Sequence, residues 1–249
     1  METTSKLGMN RTGIQMSPFD VKKMQSAAEA SGGAIESPPR SQIRESYMSE
    51  SDLIGSVPIP ASVSGMLETA KEAMTGHRPQ VLMDKLGERL AFERSGVRLY
   101  EALLSKCIAR LDEIPEDMLD TLVRFKDEEL QHFKLVHDAL LQLGGDPTAE
   151  TPCATIAGVE SMGLVKVLTD PRTTIPQCLH AILSAELIDN TGWEGLVELT
   201  RQLGQDALAE QFEEALLDEN THLDQVKEWV LRATVNEALQ QSEDTRVTH

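Results

Sequence analysis

An all-α fold is what this sequence predicts, with four long helices forming two hairpins joined by one long crossover. Three observations carry that expectation. Aromatics are only 4% of the 249 residues, and strands are normally built from β-branched and aromatic side chains. From about Val81 onward, apolar residues recur at steps of three and four over long stretches, the period of an amphipathic helix. The stretches are linked by a short, a long and a short connection, so each outer pair reads as an antiparallel hairpin and the middle segment as a crossover.

Residues 1–55 are rich in Ser, Gly, Pro and Met, with Ala30-Ser31-Gly32-Gly33 and Pro38-Pro39 as linker signals. The segment reads as disordered, because it holds too little apolar surface to offset chain entropy. Residues 56–80 read as a short helical arm, capped at Ser62 or Ser64, with Met66, Leu67, Ala70 and Met74 on one side. The bundle occupies 81–239. Its first helix spans about 81–111, and the second runs from near Pro115, a residue suited to a first turn, to the stop at Gly144-Gly145. The third covers about 175–203 and the fourth about 205–239, with a short helix near 155–168 inside the crossover. Residues 240–249 form a polar tail.

Composition narrows the function. Asp and Glu number 41 against 23 Lys and Arg, a formal net charge of -18. Nucleic-acid phosphates need cations, so that partner is excluded, and excess carboxylate favours metal cations or a basic partner. No run approaches the ~20 apolar residues of a membrane span, so no membrane role is expected. The N-terminus lacks the apolar core of a secretory signal. Three cysteines, Cys107, Cys153 and Cys178, contain no C-x-x-C pair, which excludes a disulfide framework and a Cys-rich zinc or iron site. A reducing, cytoplasmic setting follows as the expectation.

The inward stripes hold acids where a core should be apolar. They read Leu86, Leu90, Glu93, Val97, Tyr100, Leu104 on the first helix and Leu122, Phe125, Glu129, His132, Val136, Ala139 on the second. The third gives Leu179, Ile182, Glu186, Asp189, Trp193, Leu196, and the fourth Phe212, Ala215, Glu219, His222, Val226, Trp229. Each is apolar at both ends and acidic in the middle, and no Lys or Arg falls on these lines. An unpaired buried carboxylate costs several kcal/mol, and four would consume the roughly 5–15 kcal/mol of net stability a domain has. Two divalent cations would neutralise four glutamates at once, with His132 and His222 as nitrogen ligands. Glu129-Leu130-Gln131-His132 and Glu219-Asn220-Thr221-His222 are both E-x-x-H, which sets carboxylate and imidazole one turn apart on one face. The halves also repeat: Tyr100 follows Glu93 by seven residues, as Trp193 follows Glu186 by seven.

Over 81–239 these motifs resemble the ferritin-like di-iron carboxylate family, closest in pattern to rubrerythrin and bacterioferritin. The resemblance implies a four-helix bundle in which single glutamates from two helices and an E-x-x-H from each of the others hold two metals. Carried over by motif, Glu93 and Glu186 are terminal carboxylates, Glu129 and Glu219 bridge, and His132 and His222 bind one metal each. Asp189 is either a further ligand or an outer hydrogen-bond acceptor, and Tyr100 either a redox-active phenol or a hydrogen-bond partner of a ligand. Glu101, Glu128 and Glu194, beside the stripes, read as solvated. The implied cofactor is two iron ions, with manganese or zinc as alternatives suited to the same donors. The implied activity is oxidation chemistry with O₂ or peroxide, of ferroxidase or peroxidase type, with an unidentified electron donor. An iron-storing homo-oligomer and a metal-free structural or binding protein are the alternatives.

Overall fold

A computed structural model describes residues 18–30, 38–52, 54–58 and 79–244. Among these the chain is all-α, with seven α-helices, one 3-10 turn and no strand. The chain divides into two units, 1–53 and 54–249.

In the first unit α1 spans Pro18–Ala30 and α2 spans Pro38–Glu50. The expectation of disorder is corrected over these two stretches. Each begins at a proline, whose fixed φ and missing N–H suit a first turn; Pro38-Pro39 therefore opens a helix and is not a linker. The large apolar side chains Phe19, Met24, Ile43, Tyr47 and Met48 are exposed. The arm expected at 56–80 falls mostly outside the described residues.

The second unit contains α3 (Pro79–Ile108), α4 (Met118–Gln142), α5 (Pro152–Thr169), α6 (Ile175–Gln202) and α7 (Asp206–Asp244). The expected starts and stops hold to within a few residues, with two differences. Pro115 lies in the turn before α4, whose first residue is Met118, and the Met118 N–H donates to the Pro115 carbonyl at 3.2 Å. Helix α7 continues past residue 239 to Asp244. Gly144 and Gly204 close α4 and α6 at φ of 77° and 69°, the left-handed conformation that glycine adopts without a Cβ penalty. Thr174 and Gln177 form a reciprocal capping box at the start of α6.

The core consists of two apolar clusters at opposite ends of the long helices. One joins Leu104 and Cys107 of α3, Met118 and Leu122 of α4, Cys178 and Ile182 of α6, and Val226 and Trp229 of α7. The other joins Leu82 and Leu86, Val136 and Leu140, Leu196 and Val197, and Leu208 and Phe212 from the same four helices. Late α3 meets early α4 and early α6, so α3 runs antiparallel to both; by the same reasoning α7 is antiparallel to α4 and α6. Helix α4 therefore ends at the opposite end of the unit from where α6 begins, and the chain must travel the full length between them. Helix α5 makes that journey beside α3. Its start is tied to Asp84, whose carboxylate accepts from the Cys153 N–H at 2.9 Å, and its end to Lys106, whose Nζ donates to the Asp170 carbonyl at 2.8 Å. Eighteen residues of helix cover about 27 Å, most of the ~33 Å rise from Asp84 to Lys106.

A candidate metal centre in the buried acidic layer

Between the two apolar clusters lies a layer of ionisable side chains. Glu93 comes from α3, Glu129 and His132 from α4, Glu186 and Asp189 from α6, and Glu219 and His222 from α7; all are buried, none more than 4% exposed. The spacing puts them there. Each sits mid-helix on the same stripe as the flanking core residues, so burying the apolar ends carries the acids inward. Asn190 locks α6 to α7 at this level, its amide donating to the Glu219 carbonyl at 2.9 Å.

The donors converge. Ligand-type atoms of Glu129, Glu186, Glu219 and His222 lie within 4.8 Å of one another, and so do those of Glu93, His132 and Glu219 and those of Glu93, Glu129, Asp189 and Glu219. Glu219 belongs to all three groups and Glu93 and Glu129 to two each; Glu129 and Glu219 are the carboxylates that the group with Glu186 and His222 shares with another. Each set could hold one divalent cation. Glu93 Oε2, Glu129 Oε2, Glu186 Oε2, Asp189 Oδ2, Glu219 Oε2 and His222 Nδ1 are buried without a hydrogen-bond partner. Such atoms ordinarily find partners in a folded protein, and oxygen and nitrogen lone pairs gathered in one layer are the donors a hard or borderline cation takes.

Electrostatics tell the same story. Burial, reinforced by Asp189 and Glu129, holds Glu93 well above the usual carboxylate range. Burial followed by Asp189 and Glu186 does so for Glu129, and burial followed by Asp189 and Glu129 for Glu219. Glu186 is pushed up to about 7, chiefly by burial. Burial pulls the His132 ring below its ordinary value. Like charges in a dry site disfavour one another, and either protons or cations must relieve them.

Around the layer stands a shell of fixed partners. The Tyr100 hydroxyl donates to Glu186 Oε1 at 2.5 Å. His222 Nε2 lies 2.8 Å from Glu128 Oε2, while its Nδ1 faces Glu219 Oε2 at 3.2 Å. His132 Nδ1 lies 2.6 Å from Glu219 Oε1 and its Nε2 3.5 Å from Asp218 Oδ2. Glu128 is thus not merely solvated, in contrast to the expectation; Glu101 and Glu194 are exposed. Two glycines leave room. A Cβ on Gly96 would overlap the Glu129 carboxylate, and one on Gly192 would lie 2.6 Å from the Arg89 guanidinium.

Arg89, which the stripes as read from the sequence pass over, brings a cation into the layer. It is 2% exposed, pairs with the Asp189 carboxylate, donates to the Asp189 carbonyl at 2.8 Å and lies 3.3 Å from Glu93 Oε1. Burial works against its charge, but Asp189 and then Glu93 outweigh burial and strengthen it. With all five carboxylates ionised and Arg89 charged, the layer carries four net negative charges, the number two divalent cations neutralise.

Compared with protein-family models, with curated proteins and with solved structures, the chain matches none. Among the described residues no helix is long and apolar enough to cross a membrane.

Proposed function

We propose that the chain is a ferritin-like di-metal oxidoreductase, in which α3, α4, α6 and α7 form the four-helix bundle, α5 is its crossover, and two divalent cations occupy the acidic layer. Convergence of Glu93, Glu129, His132, Glu186, Glu219 and His222 on one buried layer is the observation that carries this reading. The antiparallel pairing of the helices and the long crossover support the family assignment, together with the duplicated E-x-x-H.

Glu129, Glu186, Glu219 and His222 would hold one cation, and Glu93 and Glu219 the other, together with either His132 or the pair Glu129 and Asp189. The pair is iron by the family resemblance, with manganese and zinc as the other ions these donors accept. When bound, an iron or manganese pair would supply redox chemistry toward O₂ or peroxide, with electrons from the divalent metal or from a separate donor, whereas zinc would not. The chain's own residues do the rest. The apolar clusters above and below exclude water, the Tyr100 hydroxyl keeps Glu186 in place, and Glu128 keeps a hydrogen on His222 Nε2 so that Nδ1 remains the inward lone pair. A divalent cation would take the place of the proton shared between His132 Nδ1 and Glu219 Oε1.

Metal analysis after expression in iron-rich medium tests the reading. About two metals per chain are expected, and Fe(II)-loaded protein should gain near-UV absorbance on exposure to air. Fewer than one metal per chain would leave a metal-free helical protein.

A further inference from the structure

The internal repeat pairs Glu93 with Glu186, but the residues around them are not equivalent. Four positions before Glu93 stands Arg89; four before Glu186 stands Ile182, fully buried. Three positions after Glu186 stands Asp189; three after Glu93 stands Gly96, which has no side chain. One side of the layer therefore contains an arginine–aspartate pair that the other side lacks.

That pair is built in. Arg89 reaches both the carboxylate and the carbonyl of Asp189, approaches Glu93, and lies over the Phe92 ring at 4.5 Å. Gly192, one turn after Asp189, leaves the space its guanidinium fills. The donor set of Glu93, Glu129, Asp189 and Glu219 thus faces a fixed positive charge, and two of its carboxylates are already partnered. The set of Glu129, Glu186, Glu219 and His222 has no guanidinium paired to its own carboxylates among the described residues; against it stand the Tyr100 hydroxyl, the Phe125 ring and Glu128, whose other oxygen pairs with the exposed Arg124. In a buried layer a unit charge a few ångströms away is screened far less than in water.

Resting on the two-cation reading, we infer that the two cation positions are unequal and that Arg89 makes them so. The set with Glu186 and His222 takes the first divalent cation tightly. The set of Glu93, Glu129, Asp189 and Glu219 takes the second more weakly, because that cation must displace or share the partners of Arg89. Asp189 is accordingly the counter-ion of Arg89 before it is a metal donor.

Titration of the full chain with Mn(II), counting free ion by its EPR signal, tests this. Two steps are expected, the second weaker by a factor of about ten or more. Glu186→Gln should remove the tight step, whereas Glu93→Gln should remove the weak step and leave the tight one. Arg89→Gln should bring the two steps together, and Arg89→Lys should keep them apart. Two equal steps in the unsubstituted chain, or loss of the tight step in Glu93→Gln, overturn the inference and leave the two-cation reading standing. An Arg89→Gln chain that is helical by circular dichroism with its steps still separated overturns the role of Arg89. If that variant fails to fold, the Glu93 and Glu186 variants still decide the ranking. Absence of any bound Mn(II) overturns the two-cation reading itself, and the inference with it.

Discussion

Glu128 Oε2 lies 2.8 Å from Nε2 of His222, across the packing of α4 against α7, and Asp218 stands to His132 in the reciprocal position at 3.5 Å. Both outer acids immediately precede the glutamate of an E-x-x-H, so each stretch presents a carboxylate–imidazole pair on its own helix face and a partner for the other helix's histidine. A carboxylate behind the imidazole fixes which nitrogen carries the hydrogen and raises the basicity of the other.

Glu128→Ala should therefore weaken metal binding by about 10–100-fold while leaving the helices intact. Asp218→Ala should do less, because its distance is longer and its side chain is 53% exposed. Competitive metal titration of the two variants measures both effects. Equal affinity in Glu128→Ala and the unsubstituted chain would show that the contact does not support the imidazole.

Gly96 offers a separate test of convergence. Alanine is favoured over glycine inside a helix by about 1 kcal/mol, so Gly96→Ala on propensity alone should stabilise α3. Its Cβ, however, would occupy the space of the Glu129 carboxylate. The expected outcome is a folded, helical protein whose metal content falls below that of the unsubstituted chain. Unchanged stoichiometry would mean that Glu129 can leave its present position at no cost to binding.

Much of this arrangement was readable from residue spacing. The stripes place Glu93, Glu129, Glu186 and Glu219 between apolar ends because a helix brings every third or fourth residue to one face, and burial follows. Arg89 escaped for a reason of helical geometry. Steps of three and four from Leu86 can pass through Leu90 and Val97 or through Arg89 and Gly96, since 3.6 residues per turn leaves the seam about two residues wide. Val97 is half-buried, whereas Gly96 and Arg89 are buried. Glu128 and Asp218 were readable as a repeated acid before each E-x-x-H, but which helix they serve depends on cross-helix packing that spacing does not contain. Helices α1 and α2 arise from local propensity and proline starts, signals that an apolar-period reading passes over.

Glu129→Gln separates the cost of the acids from their use. Glutamine keeps the size and loses the charge, so it relieves repulsion from Asp189 and Glu186. The metal-free variant should be more stable than the metal-free parent by about 1–2 kcal/mol. Loaded with metal the order should reverse, since the parent gains binding free energy and the variant has lost a shared ligand. Thermal melts with and without Mn(II) read both signs. A variant that is stabilised in both conditions would assign Glu129 no part in holding a cation.

The elevated carboxylates fix how stability should change with pH. Glu186 has a folded value near 7, above the ordinary 4.5, because burial disfavours its charge. Between those values the folded state binds more protons than the unfolded state, so metal-free stability falls as pH rises. The contribution is fully present below pH 4.5 and is lost as pH climbs through about 7, on the order of 3 kcal/mol for Glu186 alone. Glu93, Glu129 and Glu219 are shifted in the same direction and steepen the loss. Cations need the ionised form, so stabilisation by added Mn(II) should grow across the same window. Denaturant melts at pH 5, 6, 7 and 8 should show the metal-free and metal-loaded proteins diverging as pH increases. Metal-free stability that is flat or rising from pH 5 to 7 would mean that these acids are relieved by something other than protons or metal.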